Sequence, residues 1–208
     1  MMNKLNHSRF DATVSFLGII ILLGVIACNS EYHPETKKKG YFMIEFPEKE
    51  YRTFDEPGYP YTFEYPVYAK ITRDTLFFGE ITENPWWINV DIPHFNGKIH
   101  VSYKGIRNKA HLDSLVNDAF KMAYRKHTEV STGIDDSLMQ TPNGIEGIYY
   151  SLKGNTATAN QFFLTDSTRH FLRGALYFDA TPNEDSLGIV NDFLKQDLKH
   201  LINTLKWR

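Results

Sequence analysis

Cysteine is almost absent from this chain: Cys28 is the only one in 208 residues. An intramolecular disulfide is therefore excluded, and an oxidising compartment supplies no covalent staple. An excess of charge of one sign is missing too, with 23 Lys and Arg against 25 Asp and Glu and a net charge of −2. That balance excludes the basic footprint of a nucleic-acid-binding protein. There is no Gly-rich phosphate loop, no Gly-x-Ser-x-Gly elbow and no His-Glu-x-x-His pair. With those motifs missing, no catalytic residue is assigned and no enzyme activity is expected. Repeats at solenoid or propeller spacing are lacking as well. Long apolar runs are absent, save one.

That run extends from Val14 to Ala27, after Lys4 and Arg9. A spanning helix needs about 20 apolar residues, so this run sits at or below the lower edge. A basic start, a short apolar core and a small residue at the processing point describe a secretory signal. Val25-Ile26-Ala27-Cys28 then places the cysteine as in a bacterial lipobox. Residues 1–27 are thus expected to be a lipoprotein signal peptide, with Cys28 the acylated first residue of the mature chain. The lipid on Cys28 is the only attached group implied; no other cofactor and no metal is expected. Residues 28–40 are polar, contain Pro34 and end in Lys37-Lys38-Lys39-Gly40, which reads as a tether. Asn29 and Ser30 offer no aspartate of the kind associated with inner-membrane retention, which favours the outer membrane, facing the periplasm.

Residues 41–208 read as one α+β domain. Tyr41–Phe46 and Tyr61–Tyr65 alternate with period two and predict strands, and Tyr51–Phe54 between them reads as a further short strand. Trp86–Ile92 and Ile99–Lys104 flank Asn96-Gly97, the signature of a two-residue hairpin turn. That register pairs Ile92 with Val101 and Val90 with Tyr103, and puts Trp86, Ile88, Val90, Ile92, Val101 and Tyr103 on one face. It also separates His94 from His100 across the ribbon, so together with Asp91 they form no metal centre.

Leu112, Leu115, Val116, Ala119 and Ala123 recur at helical spacing behind Asn108, a suitable N-cap. A meander is predicted next, over residues 133–140, 145–153, 156–165 and 169–178. Gly154-Asn155 serves as a tight turn in it, pairing Leu152 with Ala157. Arg173 alternates toward solvent there, and Gly174 marks a bulge or a close backbone approach. Thr181-Pro182-Asn183-Glu184 resembles a capping box with Pro at the first helical position, and Gly188 sets off the first turn. Val190, Phe193, Leu194, Leu198, Leu201, Ile202 and Leu205 then form an apolar stripe. The expected fold is an antiparallel β-sheet with two main helices packed on it.

Dense aromatics without reactive constellations suit a packed or partner-binding face. Trp86, Trp87, Tyr65 and Arg173 are the candidate interaction residues. An alternative reading has Trp86, Trp87 and Tyr65 lining a pocket for a small ligand or cell-wall fragment.

The motifs also resemble a known family. Gly40-Tyr41-Phe42, Phe46-Pro47 and Phe63-Glu64-Tyr65-Pro66 are followed by Phe95-Asn96-Gly97-Lys98-Ile99-His100-Val101-Ser102-Tyr103-Lys104. The most specific stretches are Gln161-Phe162-Phe163-Leu164-Thr165-Asp166-Ser167 and His170-Phe171-Leu172-Arg173-Gly174-Ala175-Leu176-Tyr177-Phe178, with Asp185-Ser186-Leu187 beyond. Together they resemble the gliding-motility lipoprotein GldD family of gliding Bacteroidetes. The resemblance implies a cell-envelope lipoprotein needed for gliding motility and associated with type IX protein secretion. Its implied partners are other envelope proteins of that apparatus, with the membrane reached through the lipid. One functional residue carries over, the acylated Cys28. The order of elements resembles the Mog1/PsbP-type fold.

Overall fold

The computed structural model describes residues 43–77, 79–125 and 127–208. The signal peptide, Cys28 and the tether lie outside them. In chain order the elements are β1 (Tyr51–Phe54), β2 (Tyr61–Pro66), β3 (Lys70–Arg73), β4 (Leu76–Phe77), β5 (Glu80–Ile81), β6 (Ile88–Ile92) and β7 (Gly97–Gly105). Helix α1 (Lys109–Tyr124) follows, then β8 (Ser131–Gln140), β9 (Glu146–Gly154), β10 (Asn160–Thr165), β11 (His170–Phe178), α2 (Glu184–Thr204) and β12 (Lys206–Trp207). Seven strands form the main sheet in the order β3-β6-β7-β11-β10-β9-β8, every pair antiparallel. A small sheet, β1-β2-β12, and the β4-β5 hairpin complete it. This is the expected antiparallel α+β architecture with two main helices.

Alternation along the strands decides what lies on each face. Ile88, Val90, Ile92, Ile99, Val101, Tyr103, Phe162, Leu164, Leu172 and Leu176 share a core with Val190, Leu194, Leu198, Leu201 and Ile202 of α2. Phe54, Tyr61, Phe63 and Tyr65 of the small sheet close the same core. On the other face, Phe163, Phe171, Tyr150 and Leu152 pack against Leu115, Ala119 and Ala123 of α1. Asn108 caps α1 as expected, its side chain accepting the His111 N–H at 2.9 Å.

The β6-β7 connection differs from the expected two-residue turn. Pro93–Phe95 forms a 3-10 turn, only Asn96 of the Asn-Gly pair is left-handed (φ 47°), and Ile92 pairs with Gly97. Proline has no N–H for the ladder and its fixed φ suits a turn, so the strand stops at Ile92. The register slides by an even number of residues, and the inward face is therefore unchanged. The β9-β10 hairpin also differs: Leu152 N–H donates to Ala159 at 2.9 Å, and Ser151 faces Asn160.

Four further expectations are corrected. Met43–Phe46 makes no strand; Phe46 packs instead on Phe193 and Phe95, with ring centroids 4.5 and 5.6 Å away. Asn183, not Thr181, caps α2, accepting the Ser186 N–H at 3.1 Å, and Gly188 lies within a continuous helix. An Asn Oδ1 one residue before the helix reaches that amide, and Glu184 and Asp185 complement the positive helix end. Gly174 forms no bulge, since β11 pairs in unbroken register on both sides.

The β10-β11 turn is held by Asp166, whose Oδ1 accepts the N–H groups of Thr168, Arg169 and His170 at 3.0, 2.8 and 2.8 Å. Burial works to raise its pKa, but these backbone donors outweigh it and hold the carboxyl at about 2 against an ordinary 3.8. The unfolded chain takes up this proton first as pH falls. The contribution to stability is therefore complete above the unfolded pKa and disappears as pH drops from 3.8 through about 2. Asp166→Asn should lower the urea midpoint at about pH 5 and converge with the parent by about pH 2. An equal gap at both pH values would show that the ionised carboxylate plays no part in the turn.

Candidate functional site

Helix α1 covers only part of its sheet face. Beside it runs a groove of about 280 Å³ between α1 and the segment that begins at β5. Ser102, Lys104, Phe171 and Arg173 line it from the sheet, Trp87 from just before β6, and Leu115, Asp118, Ala119 and Met122 from the helix. Glu80, Ile81, Thr82 and Glu83 form the remaining wall. Sequence alternation explains the sheet-side set: Ser102 pairs with Arg173 and Lys104 with Phe171, all on the face opposite the main core.

The wall from Glu80 to Glu83 is tied down at several points. Thr82 N–H reaches Thr75 O at 3.2 Å. Asn84 Nδ2 donates to Tyr103 O at 2.8 Å, and its Oδ1 accepts the Trp86 N–H at 3.1 Å. Trp87 Nε1 also donates to Tyr103 O, at 2.9 Å. Lys104 Nζ bridges to Glu83 at 2.9 Å.

Arg173 is the distinctive member. It is only partly exposed, and its guanidinium donates to Gln161 Oε1. Burial pushes its pKa below the ordinary arginine value, with Tyr177 and Tyr150 opposing the shift. The solvent-facing arginine expected from alternation is thus corrected. The alternation holds, but α1 and the Glu80–Glu83 wall cover the face to which Arg173 points.

The four candidate residues divide between two faces. Trp87 and Arg173 meet in the groove. Tyr65 lies in the main core with the Arg52 guanidinium 4.7 Å above its ring. Trp86 packs edge-on against Tyr103 at 5.5 Å and donates to Gly58 O at 2.8 Å. Trp87 lines the groove whereas Trp86 packs against the main core, so the two do not line one pocket. The sequence signal for the groove was Arg173, a charge inside an otherwise apolar strand; nothing local marked Glu80–Glu83 as its wall.

Other candidate chemistry stays dispersed. His94 lies in the 3-10 turn, its Nε2 3.3 Å from Glu45 O, whereas His100 sits on β7 with Nδ1 3.5 Å from Asp74. Among the described residues no three His, Cys, Asp or Glu side chains converge on a metal position, and no helix is long and apolar enough to cross a membrane.

Fold and site define an antiparallel α+β domain that offers a ligand-sized groove with a half-covered arginine at its base. Residues 30–207 match the family model described as gliding motility lipoprotein GldD, and the chain belongs to that family. Membership makes it a gliding-motility lipoprotein associated with the cell envelope. It is also similar to the solution structure of cyanobacterial PsbP (CyanoP) from Synechocystis sp. PCC 6803. The identity is 10%, covering 80% of this chain and 98% of that one, with a TM-score of 0.45. No curated protein matches the chain.

Proposed function

We propose that this protein is a non-enzymatic, lipid-anchored adaptor that binds other envelope proteins of the gliding apparatus and its associated type IX secretion machinery. The observation that carries this reading is the family match over residues 30–207. The lipobox at Val25-Ile26-Ala27-Cys28 lies immediately upstream of that match and supplies the anchor. Acylation of Cys28 tethers the folded domain to the periplasmic side of the envelope, with the outer membrane favoured by Asn29 and Ser30. A single acyl chain holds a protein only marginally, so stable anchoring needs more than one chain or a basic segment, and Lys37-Lys38-Lys39 lies beside the site.

The groove of about 280 Å³ supports a second reading, a binding lipoprotein for a small ligand or cell-wall fragment. Cys28→Ser tests the first reading. The variant should fold normally, incorporate no labelled palmitate, and fail to restore spreading and secretion to a deletion strain. Undiminished palmitate labelling would refute the anchor, and a deletion strain that spreads and secretes normally would refute the role.

A further inference from the structure

The Gln161 side chain beside Arg173 has one unpartnered atom. Gln161 is 1% exposed, and its Nε2 makes no hydrogen bond. Its orientation is determined by Arg173, because a guanidinium only donates and must therefore meet the amide oxygen. Two donor groups thus share one face of the sheet: a guanidinium and an amide N–H₂. Among the described residues no carboxylate forms an ion pair with Arg173, and the acceptor its guanidinium meets is the neutral Gln161 amide. An arginine keeps its charge in proteins, so burial cannot be relieved by losing the proton. Half-covering such a charge without a paired counter-ion is costly, and an anion bound directly to the guanidinium would offset that cost.

The groove narrows the kind of anion. Glu80, Glu83 and Asp118 line its rim, and two of these already hold a cation: Glu83 pairs with Lys104 at 2.9 Å and Asp118 with Lys121 at 3.7 Å. A dianionic phosphate would face three carboxylates, whereas a single carboxylate meets Arg173 in a planar two-point geometry. Trp87, Leu115 and Phe171 offer apolar wall for a stem behind it.

We propose that this groove binds a carboxylate carried on an apolar stem, with Arg173 as its direct ligand. The carboxylate belongs either to a free aliphatic or aromatic acid or to the C-terminus of a polypeptide ending in an apolar residue. The site stands apart from the adaptor reading, since uptake of such a group by the purified protein does not depend on the envelope partner.

The full chain in lipid nanodiscs should be titrated calorimetrically with 3-phenylpropionate, with acetyl-Gly-Gly-Phe, with the amides of both, and with inorganic phosphate. Both acids should bind at least about tenfold more tightly than their amides and than phosphate. Tighter binding of the peptide acid assigns the site to a chain end; tighter binding of 3-phenylpropionate assigns it to a free acid. Arg173→Gln, which keeps a hydrogen-bonding side chain, should remove the preference for acid over amide. Asp118→Asn, on the exposed helix rim, should strengthen acid binding about two- to threefold without affecting the fold. Acids and amides binding equally, or neither acid binding at millimolar concentration, would overturn the proposal, and neither outcome bears on palmitate labelling or motility.

Discussion

Asp197→Ala is expected to destabilise the domain by about 3–5 kcal/mol, the usual cost of breaking a buried ion pair from one side. Asp197 is fully buried on α2. It holds Lys49 Nζ at 2.8 Å, accepts the Tyr51 hydroxyl at 2.9 Å, and accepts the Tyr68 hydroxyl. Lys49 also donates to Phe193 O at 2.9 Å and lies 3.2 Å above the Phe193 ring. Burial pushes the Lys49 pKa down while the carboxylate opposes it, and burial together with Asp197 pushes both tyrosines up. Alanine leaves three polar groups facing an apolar gap. Lys49, 23% exposed at its side chain, can turn to water, which places the expected value toward the lower end.

The loss has a local signature as well. Residues 43–50 form no helix or strand, and the Lys49 clamp joins them to α2. Hydrogen exchange should accelerate there before it does in β7 or β11. Combining Asp197→Leu with Lys49→Met, Tyr51→Phe and Tyr68→Phe should recover most of the loss, because removing all partners leaves no unsatisfied group. A urea midpoint unchanged by Asp197→Ala would show that the cluster contributes nothing.

Gly147→Ala should be the more damaging of two glycine substitutions. A Cβ at Gly147 would stand 1.9 Å from the backbone oxygen of Phe163 on the paired strand. At Gly174 a Cβ would stand 2.3 Å from the ring of Phe162. A ring can rotate, although Phe162 is 1% exposed and has little room. A carbonyl in a paired strand moves only if β9 parts from β10. Gly174→Ala should therefore cost about 1–3 kcal/mol, the range of ordinary overpacking, and Gly147→Ala more than that. Equal losses in thermal unfolding would contradict this ranking.

Much of the fold is legible in local pattern. The faces of β6 and β7 follow from the alternation of Ile88, Val90, Ile92, Ile99, Val101 and Tyr103, and they survive a turn that was expected to be shorter. The α1 cap at Asn108 and the stripe on α2 need only nearest neighbours. Pro93 and Asn183 explain the local misses: a residue without an N–H shifts a register, and a better-placed acceptor takes over a cap. Strands β4, β5 and β12 are too short to carry a pattern of their own.

The site was legible only in part. Arg173 stood out as a charge inside an apolar strand, yet its sequence neighbours say only which face it occupies. What covers that face is α1 and the Glu80–Glu83 segment, both brought in from elsewhere in the chain.

By itself the sequence determined the strand faces, the two helices and their apolar stripes, because side-chain alternation and helical period are properties of adjacent residues. Tertiary structure alone decided the rest. It placed Lys49, Tyr51 and Tyr68 around Asp197, brought Phe163 O against Gly147, and joined Trp87 with Arg173 while sending Trp86 to the opposite face. Each of these depends on sheet order and on how connections between distant segments close. No local periodicity encodes that order.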